Sequence, residues 1–210
     1  MRSVVASEQV SNLVIEYSGI NGLNSLSRAI SKIKSKPIGN ALISEIEALG
    51  QQGKAIKISI VRYETNSSRA MLTSNQAEEL DVPDDEDDVM NNLHAYHLST
   101  RLIDGIDAAG TNAALKWNPK VSSILDRLGR LKRDFNANNA YIALAHELIH
   151  AYHILKGSAL IDTIDDQIRT GTAGETEEKR VIGLGDYSTE RFTENKIRAE
   201  HNLRPRTSTE

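Results

Sequence analysis

The sequence predicts a compact α+β domain in which a histidine-bearing helix packs under a small sheet. Three observations carry this expectation. Apolar residues recur at helical spacing between Asn24 and Gly50 and again between Tyr141 and Gly157. They alternate with polar residues in "GKAIKISIVRY" at 53–63. No internal repeat or clear linker divides the 210 residues, a length suited to one domain with a sizeable core.

Taken in chain order, residues 1–22 are Ser/Asn-rich and weakly patterned, and read as a loosely ordered leader ahead of a domain at 23–210. Leu26, Ile30 and Ile33, then Leu42, Ile46 and Leu49, each fall at i, i+4, i+7. "KPIGN" interrupts them, so two helices with a break near Pro37 are expected. Ile56, Ile58 and Ile60 mark a half-buried strand. "AEELDVPDDEDDVMNN" is read as a solvated acidic loop, since adjacent charges lack the spaced ligands and glycine of a calcium loop. "TNAALKWNP" at 111–119 reads as a short strand over 113–117 that ends before Pro119. Ile124, Leu125, Leu128 and Leu131 in 121–135 predict a helix. Asn138 or Asn139 is a good N-cap for the next helix, and Gly157 a natural C-cap.

Composition narrows the chemistry. A formal net charge of −4 gives no basic field for nucleic acid. No apolar run approaches membrane-spanning length, so no membrane partner is expected. With no cysteine, disulfides and thiolate ligands are excluded, and any metal must be held by His, Asp or Glu.

The most informative stretch is "YIALAHELIHAYHILKG" at 141–157. It sets His146, Glu147 and His150 in the pattern H-E-x-x-H. Two histidines four apart lie one above the other on a helix face, where both imidazoles reach one ion. Glu147 is turned about 100° around the axis. It is poorly placed as a ligand but able to take a proton from a water on the open side of the metal. This is how a zinc hydrolase divides the work between ligands and base. The apolar residues packed around the motif argue against two merely solvated histidines, and a His pair and Glu buried without an ion would lack partners.

A third ligand is needed. Gly at 153 and His at 156 would signal one known class, but His153 and Lys156 stand there. His153 is about 10 Å along the axis from His146 and is read as a polar residue at the cleft rim. Downstream, "ETEEKRVIGLG" at 175–185 predicts a second helix ending at Gly185. Glu178, Ile182 and Gly185 share one face and Glu177, Val181 and Leu184 another, so the apolar residues could carry either acid to the histidines. Asp165 and Asp166 are weaker candidates. Acids in a first helical turn also suit the helix dipole.

"AHELIHAYHILKG", then "EEKRVIGLG" (Glu177 to Gly185), then "TENKIRAEHNLRPR" (Thr193 to Arg206) resemble, in that order, the NleD-like zinc metallopeptidases. These are bacterial type III secretion effectors, and related modules end large repeat toxins. "IGNALISEIEALG" and "LKWNP" extend the resemblance over much of residues 38–206. It implies a gluzincin-like, zincin-like core that binds one Zn2+. His146 and His150 become ligands, Glu147 the general base, and Glu177 or Glu178 the third ligand, with Glu178 preferred. It also implies a protein secreted into the host cell and acting in host cytoplasm. The expected partner is a host substrate, a stress-activated mitogen-activated protein kinase cut in its activation loop. The leader is compatible with a secretion signal. The chain is short and starts at Met, which fits a free-standing, monomeric effector better than a toxin end. Glu194, Asn195, Arg198 and Arg206 match the family's tail motif and are read as an Arg–Glu network holding the C-terminal segment over the cleft. Tyr187 and His201 are the downstream candidates for stabilising an oxyanion. The alternatives are a toxin-type peptidase with other protein substrates and a catalytically inert, zinc-stapled binding effector.

Overall fold

Short runs of alternating apolar residues build the centre of the sheet. The computed structural model describes residues 3–17, 20–85, 87–102, 104–134, 137–160 and 171–209. The strands are β1 (Ser3–Ala6), β2 (Leu13–Tyr17), β3 (Ile56–Ile60), β4 (Ser67–Met71) and β5 (Asn112–Trp117), arranged β1-β2-β3-β5-β4. The central three are parallel, and β1 and β4 are antiparallel edges. Register aligns Ile15 with Ile58 and Ile58 with Leu115, all buried on one face, while Lys57, Ser59 and Lys116 alternate to the other.

The connections supply the helices: α1 (Ile20–Lys34), α2 (Pro37–Gly50), α3 (Ser74–Glu79) and α4 (Val89–Ser99), then α5 (Ala140–Lys156), α6 (Ala173–Ile182) and α7 (Glu194–Glu200). Pro37 starts α2, where its missing N–H costs nothing. Glu200, at the end of α7, accepts bonds from the Ile38 and Gly39 amides at 2.8 and 2.9 Å and so caps α2. The core joins α1, α2 and α5 to the buried face of the sheet. α5 is the central element: of its 17 residues only His146, His150, Tyr152 and Lys156 are not buried. It ends at Gly157, whose φ of 76° is a left-handed cap. The α+β expectation holds, with the histidine-bearing helix packed against the sheet. No helix among the described residues is long and apolar enough to cross a membrane.

Three expectations are corrected. In place of the helix expected over 121–135, residues 122–134 form a hairpin, β6 (Ser122–Leu125) and β7 (Leu131–Asp134). The Asp126 carboxylate accepts from the Leu128 and Arg130 amides, and Gly129 sits at φ 81°, so a tight turn breaks the apolar stripe. The segment expected to be a loose leader contributes β1 and β2, and Val10, Leu13 and Ile15 are at most 4% exposed. The helix opened by the acids closes at Gly183 rather than Gly185. The acidic loop is as expected: Asp84, Asp85 and Asp87 are exposed, and Asp88 caps α4 through the Asn91 amide.

Candidate metal centre

Because α5 is buried on nearly every side, its two half-buried histidines mark the part of its face that reaches solvent. His146 Nε2 and His150 Nε2 are 3.2 Å apart, and Glu178 Oε2 of α6 lies 3.3 Å from each. Three donor atoms thus form a nearly equilateral triangle. A tetrahedral zinc with bonds of about 2.0–2.1 Å separates its donors by about 3.3 Å, so the set fits that ion in size and chemistry. Among the described residues this is the His/Cys/Asp/Glu group compact enough to hold a metal. Glu177 is not in the triangle, and Asp165 and Asp166 lie outside the described residues.

The outer nitrogens of both imidazoles face acids. His146 Nδ1 lies 2.9 Å from Glu194 Oε2, and His150 Nδ1 lies 3.6 Å from Glu177 Oε1. An acid behind each ring fixes its orientation and turns the Nε2 lone pair inward. Glu177 is also 2.6 Å from His153 Nδ1 and accepts from the Leu160 amide at 2.9 Å. His153 is therefore not at the cleft rim, being 3% exposed beneath the centre. Arg180 lies 3.7 Å from Glu177 and donates to the Ser158 carbonyl, closing this layer.

The electrostatics follow. Burial disfavours the His146 imidazolium, but Glu178 and then Glu194 outweigh it and hold its pKa well above the usual value. Burial also opposes the charged His150, and Glu177 and Glu178 lift it to about 9. Burial pushes Glu178 up, yet His146 foremost keeps its carboxyl well below the usual range. Glu194 is likewise drawn down to about 2, first by His146 and then by Arg198 and Arg206. A pocket that holds its acids ionised and draws protons onto two imidazoles is one that attracts a cation.

Glu147 is 7% exposed, and its Oε2 accepts from Ser68 Oγ at 2.8 Å. The same hydroxyl lies 3.0 Å from the Glu147 carbonyl, so edge strand β4 fixes both ends of this residue. Sequence reasoning finds no strand at 67–71, because "SSRAM" lacks an apolar alternation, and so misses Ser68. Tyr187 lies in the 3-10 turn Gly185–Thr189 and makes no hydrogen bond to the triangle among the described residues. His201 packs edge-on against Tyr141, ring centroids 5.0 Å apart, and its Nε2 has no hydrogen-bond partner among the described residues. Neither residue is hydrogen-bonded to the triangle among the described residues.

The tail motif is placed directly on the centre. Arg198 Nε donates to Glu194 Oε1 at 2.6 Å. Arg206 Nη1 lies 3.3 Å from both Glu194 Oε2 and Glu178 Oε1. The Glu194–Arg198 pair has the i, i+4 spacing of a helical ion pair, a signal present in the sequence.

The H-E-x-x-H helix and the His-His-Glu triangle make up the donor set that a metal-dependent hydrolase needs. Residues 23–208 match the family Peptidase_M91, described as "Effector protein". The chain belongs to that family of effector metallopeptidases. No curated protein matches it. Solved structures similar to it include the light chain of botulinum neurotoxin serotype HA, at 13% identity and a TM-score of 0.45. That match covers 87% of this chain and 46% of the light chain, so the chain spans less than half of that structure's length.

Proposed function

We propose that the chain is a zinc-dependent endopeptidase, delivered by a bacterium into a host cell. There it cuts a stress-activated mitogen-activated protein kinase within the activation loop. The observation that carries the chemistry is the 3.2–3.3 Å triangle of His146, His150 and Glu178 beside a buried Glu147 that Ser68 holds. Zinc, when bound by the three ligands, supplies the Lewis acidity that polarises the scissile carbonyl and acidifies the attacking water. Glu147 is the general base: its carboxylate takes a proton from that water and returns it to the leaving amide nitrogen. Ser68 Oγ, bonded to Glu147 Oε2, orients the carboxylate for both transfers. Glu194 and Glu177 keep the imidazoles facing inward.

The substrate reading rests on the family's effector character and on shape. An extended segment adds to a sheet edge through backbone hydrogen bonds, and β4 is the edge strand that carries Ser68. A mobile activation loop offers such a segment on a folded protein. Recombinant stress-activated kinases and casein, compared at equal concentration, test the assignment. The expected result is single-site cleavage in the kinase activation loop and slow casein digestion. Fast casein digestion with intact kinases would favour the toxin-type peptidase. No cleavage of either by the zinc-loaded protein would favour the inert binding effector.

A further inference from the structure

Arg206 is 5% exposed, and its contacts account for all three of its nitrogens. Nε donates to the Ser208 carbonyl at 2.8 Å and Nη2 to the Thr209 carbonyl at 2.7 Å. Nη1 stands between two acids, 3.3 Å from Glu178 Oε1 and 3.3 Å from Glu194 Oε2. The two oxygens of Glu178 are therefore divided: Oε2 faces the histidines and Oε1 faces the guanidinium. A cation so enclosed has little left to offer a substrate. It acts on the ligand instead.

The backbone of Arg206 is fixed from two sides. The Asn195 amide group brackets it, accepting from the Arg206 N–H at 2.7 Å and donating to the Arg206 carbonyl at 2.9 Å. One residue on, the Thr207 amide donates to the Gly129 carbonyl at 2.9 Å, and Thr207 Oγ1 donates to Leu128 O at 2.7 Å. Arg204 adds bonds to the Asp126 and Arg127 carbonyls. The C-terminal segment is thus strapped across the β6–β7 turn and delivers one guanidinium to the centre.

We infer that Arg206 is a positioning residue that engages Glu178 Oε1, so that Glu178 binds the metal through Oε2 alone and the C-terminal segment is tied to the metal ligand. This rests on the zinc reading with Glu178 as third ligand. A planar guanidinium suits the task because it reaches both acids and two carbonyls at once, which an ammonium on a flexible stem does not. Without it, Glu178 is free to turn and offer both oxygens, which raises the coordination number.

The test measures zinc affinity by chelator competition and visible absorption of the cobalt(II)-loaded protein, whose intensity falls as coordination number rises. Arg206→Met is expected to weaken zinc by roughly 10–100-fold, the usual cost of losing a group that supports a metal ligand. It is also expected to lower the absorption per cobalt. Arg206→Lys should fall between it and wild type, and Asn195→Ala should move both readings in the same direction by less. If Arg206→Met fails to fold, the Lys and Asn195 variants decide. Unchanged affinity and absorption in the folded variants, with one zinc in wild type, would overturn the inference and leave the zinc reading intact. Lost affinity with unchanged absorption would also overturn it, since a merely structural role predicts that pattern. Absence of zinc from wild type would overturn both.

Discussion

Glu177 and Glu178 are neighbours in sequence and do different things. One helical position is a rotation of about 100°, enough to send Glu178 to the two Nε2 atoms and Glu177 to the layer beneath. The sequence leaves this choice open, because both acids sit in the middle of α6, just ahead of its buried Val181 and Ile182. The structure separates them: Glu178 completes the 3.2–3.3 Å triangle, while Glu177 pairs with His153 and the Leu160 amide. Glu178→Gln should therefore cost more zinc affinity than Glu177→Gln, whose loss should stay within the roughly 10–100-fold of a supporting group. Metal titration of the two variants checks this, and the reverse order would move the ligand by one position. His146, Glu147 and His150 are legible in sequence because a local helix dictates their spacing. Ser68 and Arg206 are placed by tertiary packing from a strand and the tail, so spacing alone gives no signal of their partners.

Among the elements, α5 is read correctly from end to end because a long apolar period and a glycine cap agree with each other. Gly157 is confined to that role by its φ of 76° and by the Ala108 carbonyl, 2.2 Å from where a Cβ would stand. Gly157→Ala is expected to destabilise the fold by about 1–3 kcal/mol, as for other residues forced into left-handed backbone. A lowered melting temperature with wild-type zinc stoichiometry would bear this out, and an unchanged one would contradict the cap assignment. The 121–135 segment shows the opposite case. Ile124, Leu125, Leu128 and Leu131 match a helical period, yet Asp126 and Gly129 carry a turn signature that outweighs it. The hairpin leaves Leu128 65% exposed, which a buried helical stripe would not.

At the scale of the whole molecule, the sheet depends on residues that pattern alone marks as dispensable. Val10, Leu13 and Ile15 are each worth about 1.5–3 kcal/mol when buried, roughly 5–9 kcal/mol together, against a typical total stability of about 5–15 kcal/mol. Strand β2, which carries Leu13 and Ile15, escapes sequence reading because its parallel pairing with β3 is a contact across more than 40 positions. A chain lacking residues 1–22 should lose cooperative unfolding, as calorimetry would show, even though the family match begins at residue 23. The same core seats α5 against α6, where His146, His150, Glu178 and Glu147 are proposed to form a working peptidase. The most direct measurement is the appearance of new peptide ends in host-cell lysate treated with wild type and with Glu147→Gln. Wild type should yield discrete new ends, lost on chelation and restored by zinc. Glu147→Gln should slow their formation by roughly 10²–10⁴-fold, with the zinc still bound. New ends that survive chelation, or that form equally fast with Glu147→Gln, would rule out this centre as the peptidase site.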